Sequence, residues 1–333
     1  MQTISGLSAY ANLFNGVRNR TFRMPAKGEN GYQDGVLLPK LWPRFKLAPG
    51  EKIFTIGSCF AREIEKRLVS RGFDLPVCRY PVPDMLNEYN AGTILQRIES
   101  VFGGFSYEGE MGIEQTDKGY LDLFLHIHQT PVELPMLHYR RQVIAEIYNE
   151  LKTADTVVIT LGLTETWFDT IHQCYVNKAP SRAAVAREPD RFQFHRMDVA
   201  DVIDRVSNSI ALINAHGQKK ILLTVSPIPI EATFSGTTAI VANSYSKAVL
   251  RVVVEQMTRQ YENVDYFPSF EIATSGGMAH YIDDNVHITE ELVEVIISHM
   301  MANYLEGAEV AAKEEVIKPN YIDAEAYNRF TAG

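Results

Sequence analysis

Lys52 to Leu68 reads KIFTIGSCFAREIEKRL, and the change of period inside it decides the fold. Ile53, Phe54, Thr55 and Ile56 form an apolar, β-branched and aromatic run closed by Gly57, the pattern of a short buried strand. From Phe60 the spacing becomes helical. Phe60, Ile64 and Leu68 share one face, while Arg62, Glu63, Glu65, Lys66 and Arg67 are expected on the other. Gly57, Ser58 and Cys59 therefore lie on a strand-to-helix turn, beside the unpaired N–H groups of a helix start. That setting favours a thiolate, the reactive form of cysteine, and makes Cys59 a candidate nucleophile. A free cysteine acting only as a small buried hydrophobe is the competing expectation.

Three more apolar runs follow: Val157 to Leu161, Ile221 to Val225 and Val264 to Phe267. Continuous runs of this kind are strands of a parallel sheet covered on both faces. Helical spacing separates them, over 140–152, 198–216 and 242–261, the last with Asn243 or Ser244 as N-cap. The second run ends in Gly162-Leu163-Thr164-Glu165, at the sheet edge where open α/β sheets bind ligands. Thr164 and Glu165 are candidates to hydrogen-bond a substrate. Asn90 and Gly92 open another helix and can offer a backbone N–H to an oxyanion, or Asn90 is simply its N-cap. Near the end, Asp284-Asn285-Val286-His287 precedes a helix with Thr289 as N-cap. An aspartate so placed can hold the imidazole and leave its other nitrogen to take a proton.

With 333 residues, 46% hydrophobic and 22% charged, the chain suits one large α/β domain. The reading is an N-terminal arm over 1–50, a main domain over 51–305 with loop insertions near 103–138 and 172–197, and a tail over 306–333. Tyr10, Phe14, Phe22, Trp42 and Phe45 are the expected anchors of the arm. Lys40, Arg44 and Lys46 read as a solvated face, with a substrate phosphate as the alternative. A net charge of −9 argues against a nucleic-acid partner. No stretch approaches the ~18 apolar residues of a membrane span, and with no signal-peptide pattern the expected location is cytoplasmic. Cys59, Cys78 and Cys174, odd in number and without a CxxC pair, suit a reducing compartment. His126, His128 and His138 lack an acidic or cysteine partner nearby, so no metal site is expected.

Taken in order, TIGSCFA, ITLGLTETW, LLTVSPIP, NSYSKAVLR, FPSFEI and DDNVHIT resemble the GSCFA family, from about Lys52 to His299. That family looks like a cysteine-containing branch of the SGNH/GDSL hydrolase superfamily. The resemblance implies a three-layer α/β/α sandwich with a mostly parallel sheet of about five strands, SGNH-hydrolase-like and flavodoxin-like. Gly57, Ser58, Cys59 and Phe60 match Gly-Asp-Ser-Leu, which puts Cys59 in the serine's place. Asp284 and His287 match the superfamily's Asp-x-x-His dyad. Ser58, Asn90, Gly92, Thr164, Glu165 and Asn243 are the implied oxyanion and substrate residues. Where GDSL enzymes carry Gly-x-Asn-Asp, this chain has Gly162-Leu163-Thr164-Glu165 and so lacks the oxyanion asparagine. Thr164 or Asn243 is the candidate replacement.

The implied activity is acyl transfer, as an acyltransferase or esterase acting on a carbohydrate or small-molecule ester or thioester, in surface-polysaccharide biosynthesis. No cofactor is required by this reading, and acetyl-CoA or another acyl-CoA is the implied co-substrate. A non-catalytic glycan- or nucleotide-binding module on the same fold is the alternative, and the missing asparagine favours it.

Overall fold

Each apolar run forms a strand of one sheet. In the computed structural model, which describes residues 3–11, 24–29, 31–79, 83–125 and 130–306, these are β1 (Ile53–Gly57), β2 (Thr156–Leu161), β3 (Lys220–Val225) and β4 (Val264–Phe267). They lie in the order β4-β3-β2-β1, all parallel. Every residue of β1 and β2 is buried, because helices cover both faces.

The helices around this sheet are α1 (Cys59–Ser70), α2 (Ala91–Phe102), α3 (Leu134–Asn149), α4 (Val199–Ala215), α5 (Ala239–Gln260), α6 (Ser269–Ser275) and α7 (Glu290–Tyr304), and a short helix, Arg182–Arg187, lies in the second insertion. α3 packs on α2, α2 on α4 and α4 on α5, while α1 packs on α7 and α7 on α6.

The sheet has four strands rather than about five. Outside β1, the place of a fifth strand is taken by two isolated parallel bridges, Lys52 with Asp74 and Gly57 with Asn87. The Ile53 N–H donates to the Asp74 carbonyl, and the Glu88 N–H to the Gly57 carbonyl, each at 2.8 Å. Short 3-10 turns at Pro76–Arg79 and Pro83–Leu86 occupy the interval, since proline lacks the donor a ladder needs. The chain thus leaves β1 toward one edge and later returns to build the sheet on the other side. Such a reversal opens a crevice at the carboxyl end of the strand where it occurs.

Several boundaries differ from the sequence reading. α3 starts at Leu134, before the predicted 140, with Pro135 in the first turn where its missing N–H costs nothing. α5 starts at Ala239 behind Thr238, so Asn243 sits inside the helix and is not its cap. Arg62 and Glu65, expected to face solvent, are buried and paired at 2.7 Å. Residues 172–197 are no loose loop: Glu165–Asp169 pairs antiparallel with both Cys174–Val176 and Phe192–Arg196. The other insertion holds a hairpin of Ile113–Thr116 and Gly119–Asp122. Leu123, Phe124, Cys174, Val176 and Phe192 join the two insertions in a second small core.

In the arm, Val36 and Leu47 are the buried anchors, and Phe45 packs its ring 6.0 Å from Tyr304. Tyr10 and Trp42 are exposed. Arg44 donates to the carbonyls of Tyr261 and Val264 at 2.9 and 3.1 Å, and Lys46 donates to that of Asn303. Those two basic side chains brace the amino end of the sheet while remaining exposed, as Lys40 also is. Phe14, Phe22, His126 and His128 lie outside the described residues, as does the tail beyond Glu306.

Gly57 closes β1 at φ +141°, and a Cβ there would stand 2.2 Å from the Thr160 carbonyl oxygen of β2. Backbone conformation and space both demand glycine. Gly57→Ala is expected to lose about 3 kcal/mol or more of folding stability. A urea melt that matches the parent chain would contradict this.

Candidate active site

α1 begins immediately after β1, so its first residue, Cys59, stands at the crevice. The N-cap is Ser58, in extended conformation, yet its side chain makes no cap hydrogen bond. The buried Ser58 hydroxyl has no partner at all. Cys59 and Ser58 open into a cleft of about 450 Å³ whose rim includes His287. Gly162 makes room for this arrangement, since a Cβ there would lie 2.7 Å from the Tyr89 carbonyl and 3.3 Å from the Ser58 side chain.

His287 is held by a tight turn. Asp284 Oδ1 accepts the N–H groups of Val286 and His287 at 2.8 and 2.9 Å, and Oδ2 pairs with His287 Nδ1 at 2.7 Å. These bonds, the one to the ring first, hold the Asp284 carboxyl down at about 2. Nε2 is left for chemistry. The Asp284–His287 pair is solvent-exposed, unlike the buried floor of the cleft. No hydrogen bond joins the Cys59 sulfur to the ring, although both line the cleft.

Burial pushes the Cys59 thiol above its ordinary pKa. The Lys247 ammonium and the N–H groups of Phe60 and Cys59 pull the other way, and burial wins. Helix-start donors therefore act on the sulfur as the sequence predicts, but they do not favour the thiolate on balance.

Among the other predicted residues, Asn90 and Glu165 line the cleft, while Gly92, Thr164 and Asn243 do not. Asn90 caps α2 by accepting the Thr93 N–H at 3.0 Å. Glu165 accepts the Thr233 hydroxyl at 2.6 Å. Gly92 is buried in the first turn of α2, where a Cβ would strike the Tyr175 ring at 2.6 Å. The Thr164 hydroxyl is buried without a partner, and its N–H donates to Ser246 Oγ at 2.9 Å. Asn243 Oδ1 accepts the Ile230 N–H at 3.1 Å and so fixes a loop of the cleft wall.

Other residues of the cleft went unread in the sequence. Asn87, buried, faces the cleft with its Oδ1 unpartnered, and Asn177 donates to the Asn87 carbonyl. Both lie in loops, where no periodicity marks a position. Trp167, Phe194 and Phe234 form one wall, their ring centroids 5.1 to 5.8 Å apart. Trp167 Nε1 has no partner, and Phe234 is exposed. Lys247 did leave a signal: it shares a helical stripe with Leu250 and Val254, an apolar face where a lysine is out of place. Among the described residues, no three His, Cys, Asp or Glu side chains cluster to hold a metal.

An α/β chain with a cysteine at the first strand-to-helix turn and, on the same cleft, a histidine held by an aspartate is the class defined here. The family model described as the GSCFA family matches residues 52–300, and the chain belongs to that family. No curated protein matches. Among solved structures, a catalytic mutant of Axe2, an acetylxylan esterase from Geobacillus stearothermophilus, aligns at 14% identity and a TM-score of 0.33. That alignment covers 79% of this chain and 98% of the other.

The raised thiol sets a measurable expectation. Alkylation of Cys59 in the folded chain, followed on its own peptide by mass spectrometry, should have its midpoint above the ~8.5 of a free thiol and return there in denaturant. A folded midpoint at or below that value would refute the dominance of burial.

Proposed function

We propose that this cleft carries out acyl transfer through Cys59. The observation that carries the reading is that Cys59 and His287, from opposite ends of the domain, line one cavity, with Asp284 holding the His287 ring. His287, oriented by Asp284, takes the thiol proton as the sulfur attacks the carbonyl carbon of an ester or thioester. A C–S bond forms and the carbonyl electrons move to oxygen. The N–H groups of Cys59 and Phe60, already directed at the sulfur, and the second N–H of Asn87 Nδ2, whose other N–H reaches the Tyr89 hydroxyl, are the donors for that oxyanion. Asn87 thereby stands in for the missing asparagine. Collapse expels the alcohol or thiol, which leaves with the proton from His287 and a thioester on Cys59. A second hydroxyl or a water then attacks, returns its proton through His287, and frees the sulfur.

The aromatic wall supports a carbohydrate or small organic acceptor, because Trp167 and Phe194 offer apolar faces beside the polar Asn177 and Glu165. Acetyl-CoA or another acyl-CoA is the proposed donor, transfer to a glycan hydroxyl in surface-polysaccharide biosynthesis the proposed setting, and the cytoplasm the proposed location. Hydrolysis is the same path with water as acceptor.

The raised Cys59 thiol favours a second reading, a glycan- or nucleotide-binding module without turnover. Incubation with acetyl-CoA or p-nitrophenyl acetate, read by intact mass, separates the two. Acyl transfer predicts a covalent adduct on the parent chain, none on Cys59→Ala, and discharge by sugars or water. His287→Ala should slow adduct formation about 10²- to 10⁴-fold, and Asn87→Ala about 10²- to 10³-fold. An adduct that survives Cys59→Ala, or none with any activated acyl donor, would sink acyl transfer at this cysteine.

A further inference from the structure

Lys247 is a buried lysine whose surroundings contain no countercharge. It is 2% exposed. Its Nζ donates to the carbonyls of Gly162, Ser226 and Ile228 at 2.7, 2.8 and 2.7 Å. Only the protonated amine has three N–H bonds to give, so these acceptors hold the charged form. Among the described residues no carboxylate pairs with it, whereas buried lysines are almost always paired. Gly162, Ser226 and Ile228 all line the cleft that contains Cys59. The ammonium therefore lies directly behind the cleft floor.

We propose that Lys247 is the counter-cation of the Cys59 thiolate, a positioning residue whose field favours the charged sulfur from beneath the floor of the cleft. The role rests on Cys59 being the reacting thiol. Burial pushes the Lys247 ammonium down, against the three carbonyls that hold its charge, and Cys59 acts on it upward as Lys247 acts downward on Cys59. Glu63, on the helix that carries Cys59, opposes the thiolate. Glu165, Glu231, His287 and Tyr89 are the other ionisable groups on the cleft wall, and of these Glu165 is engaged by Thr233. Lys247 is thus the cation set against both burial and Glu63. Its three bonds fix where that charge sits, and its burial keeps solvent from screening it.

The test is the pH profile of Cys59 alkylation by iodoacetamide in the full chain, over roughly pH 6 to 10. Circular dichroism and a thermal melt establish that each variant is folded. Lys247→Met is expected to move the midpoint up by about one unit or more, about tenfold slower labelling at neutral pH, and Lys247→Arg to recover most of it. A merely structural lysine would leave the midpoint of folded Lys247→Met at the parent value, and that result overturns the proposal. Should Lys247→Met not fold, the coupling is read from the other side, since it is reciprocal. The assigned Lys247 13Cε resonance should titrate at lower pH in Cys59→Ala than in the parent, and an unchanged titration overturns the proposal equally. An acyl adduct with an unmoved profile would remove this inference alone. A moved profile without an adduct would leave the ion pair and remove acyl transfer.

Discussion

Three carbonyls at the carboxyl edge of the sheet converge on the Lys247 ammonium: Gly162 just beyond β2, Ser226 just beyond β3, and Ile228 in the loop that follows. Chain leaving two adjacent strands would otherwise present these oxygens to an interior without donors. Each charge-assisted bond is worth about 1.5–3 kcal/mol, and desolvating the ammonium costs several kcal/mol, so the two nearly cancel. What remains is geometry. The Ser226 N–H also donates to the Leu161 carbonyl at 2.8 Å, which locks the strand ends to each other. The floor of the cleft is therefore fixed by one cation on a helix together with the bond between the strand ends.

Above that floor, the cysteine and the imidazole occupy opposite environments. Cys59 is pinned by β1 and α1, whose junction exists because Gly57 can lie against the Thr160 carbonyl. Its thiol is raised by the same burial that shields it from bulk water. His287 stands on a solvated turn, its orientation set by the Asp284 carboxylate and two backbone N–H groups of the turn. In a site built this way burial works against the thiolate. In acyl transfer, a bound substrate would exclude water and strengthen every interaction on that sulfur.

The insertions matter more than their composition implied. Residues 172–197 contain glycine-poor, arginine-rich segments that read as a loop, yet their strands pair with Glu165–Asp169 and bring Phe194 beside Trp167. Phe192, on the same face of the strand, continues into the small core shared with Phe124, while His195 on the opposite face stacks on Phe168. Alternation along a short, half-exposed strand is hard to see when both faces carry aromatic residues. Cross-strand pairing, which is non-local, supplied the information that periodicity lacked.

From the sequence alone came the α/β class, the four parallel strands, the strand-to-helix turn at Cys59 and the Asp284–His287 turn. All are local: a run of apolar residues, a change of period, or a carboxylate three residues from a ring. Tertiary structure alone decided that the fifth strand is reduced to two bridges and that Gly92 serves packing against Tyr175. It also brought Asn87, Asn177 and the aromatic wall to the cleft. Whether the Cys59 thiol lies above or below its ordinary range was decided there as well. A helix start announces its donors in sequence, but desolvation depends on everything packed around the sulfur, and Lys247 reaches it from a distant segment of the chain.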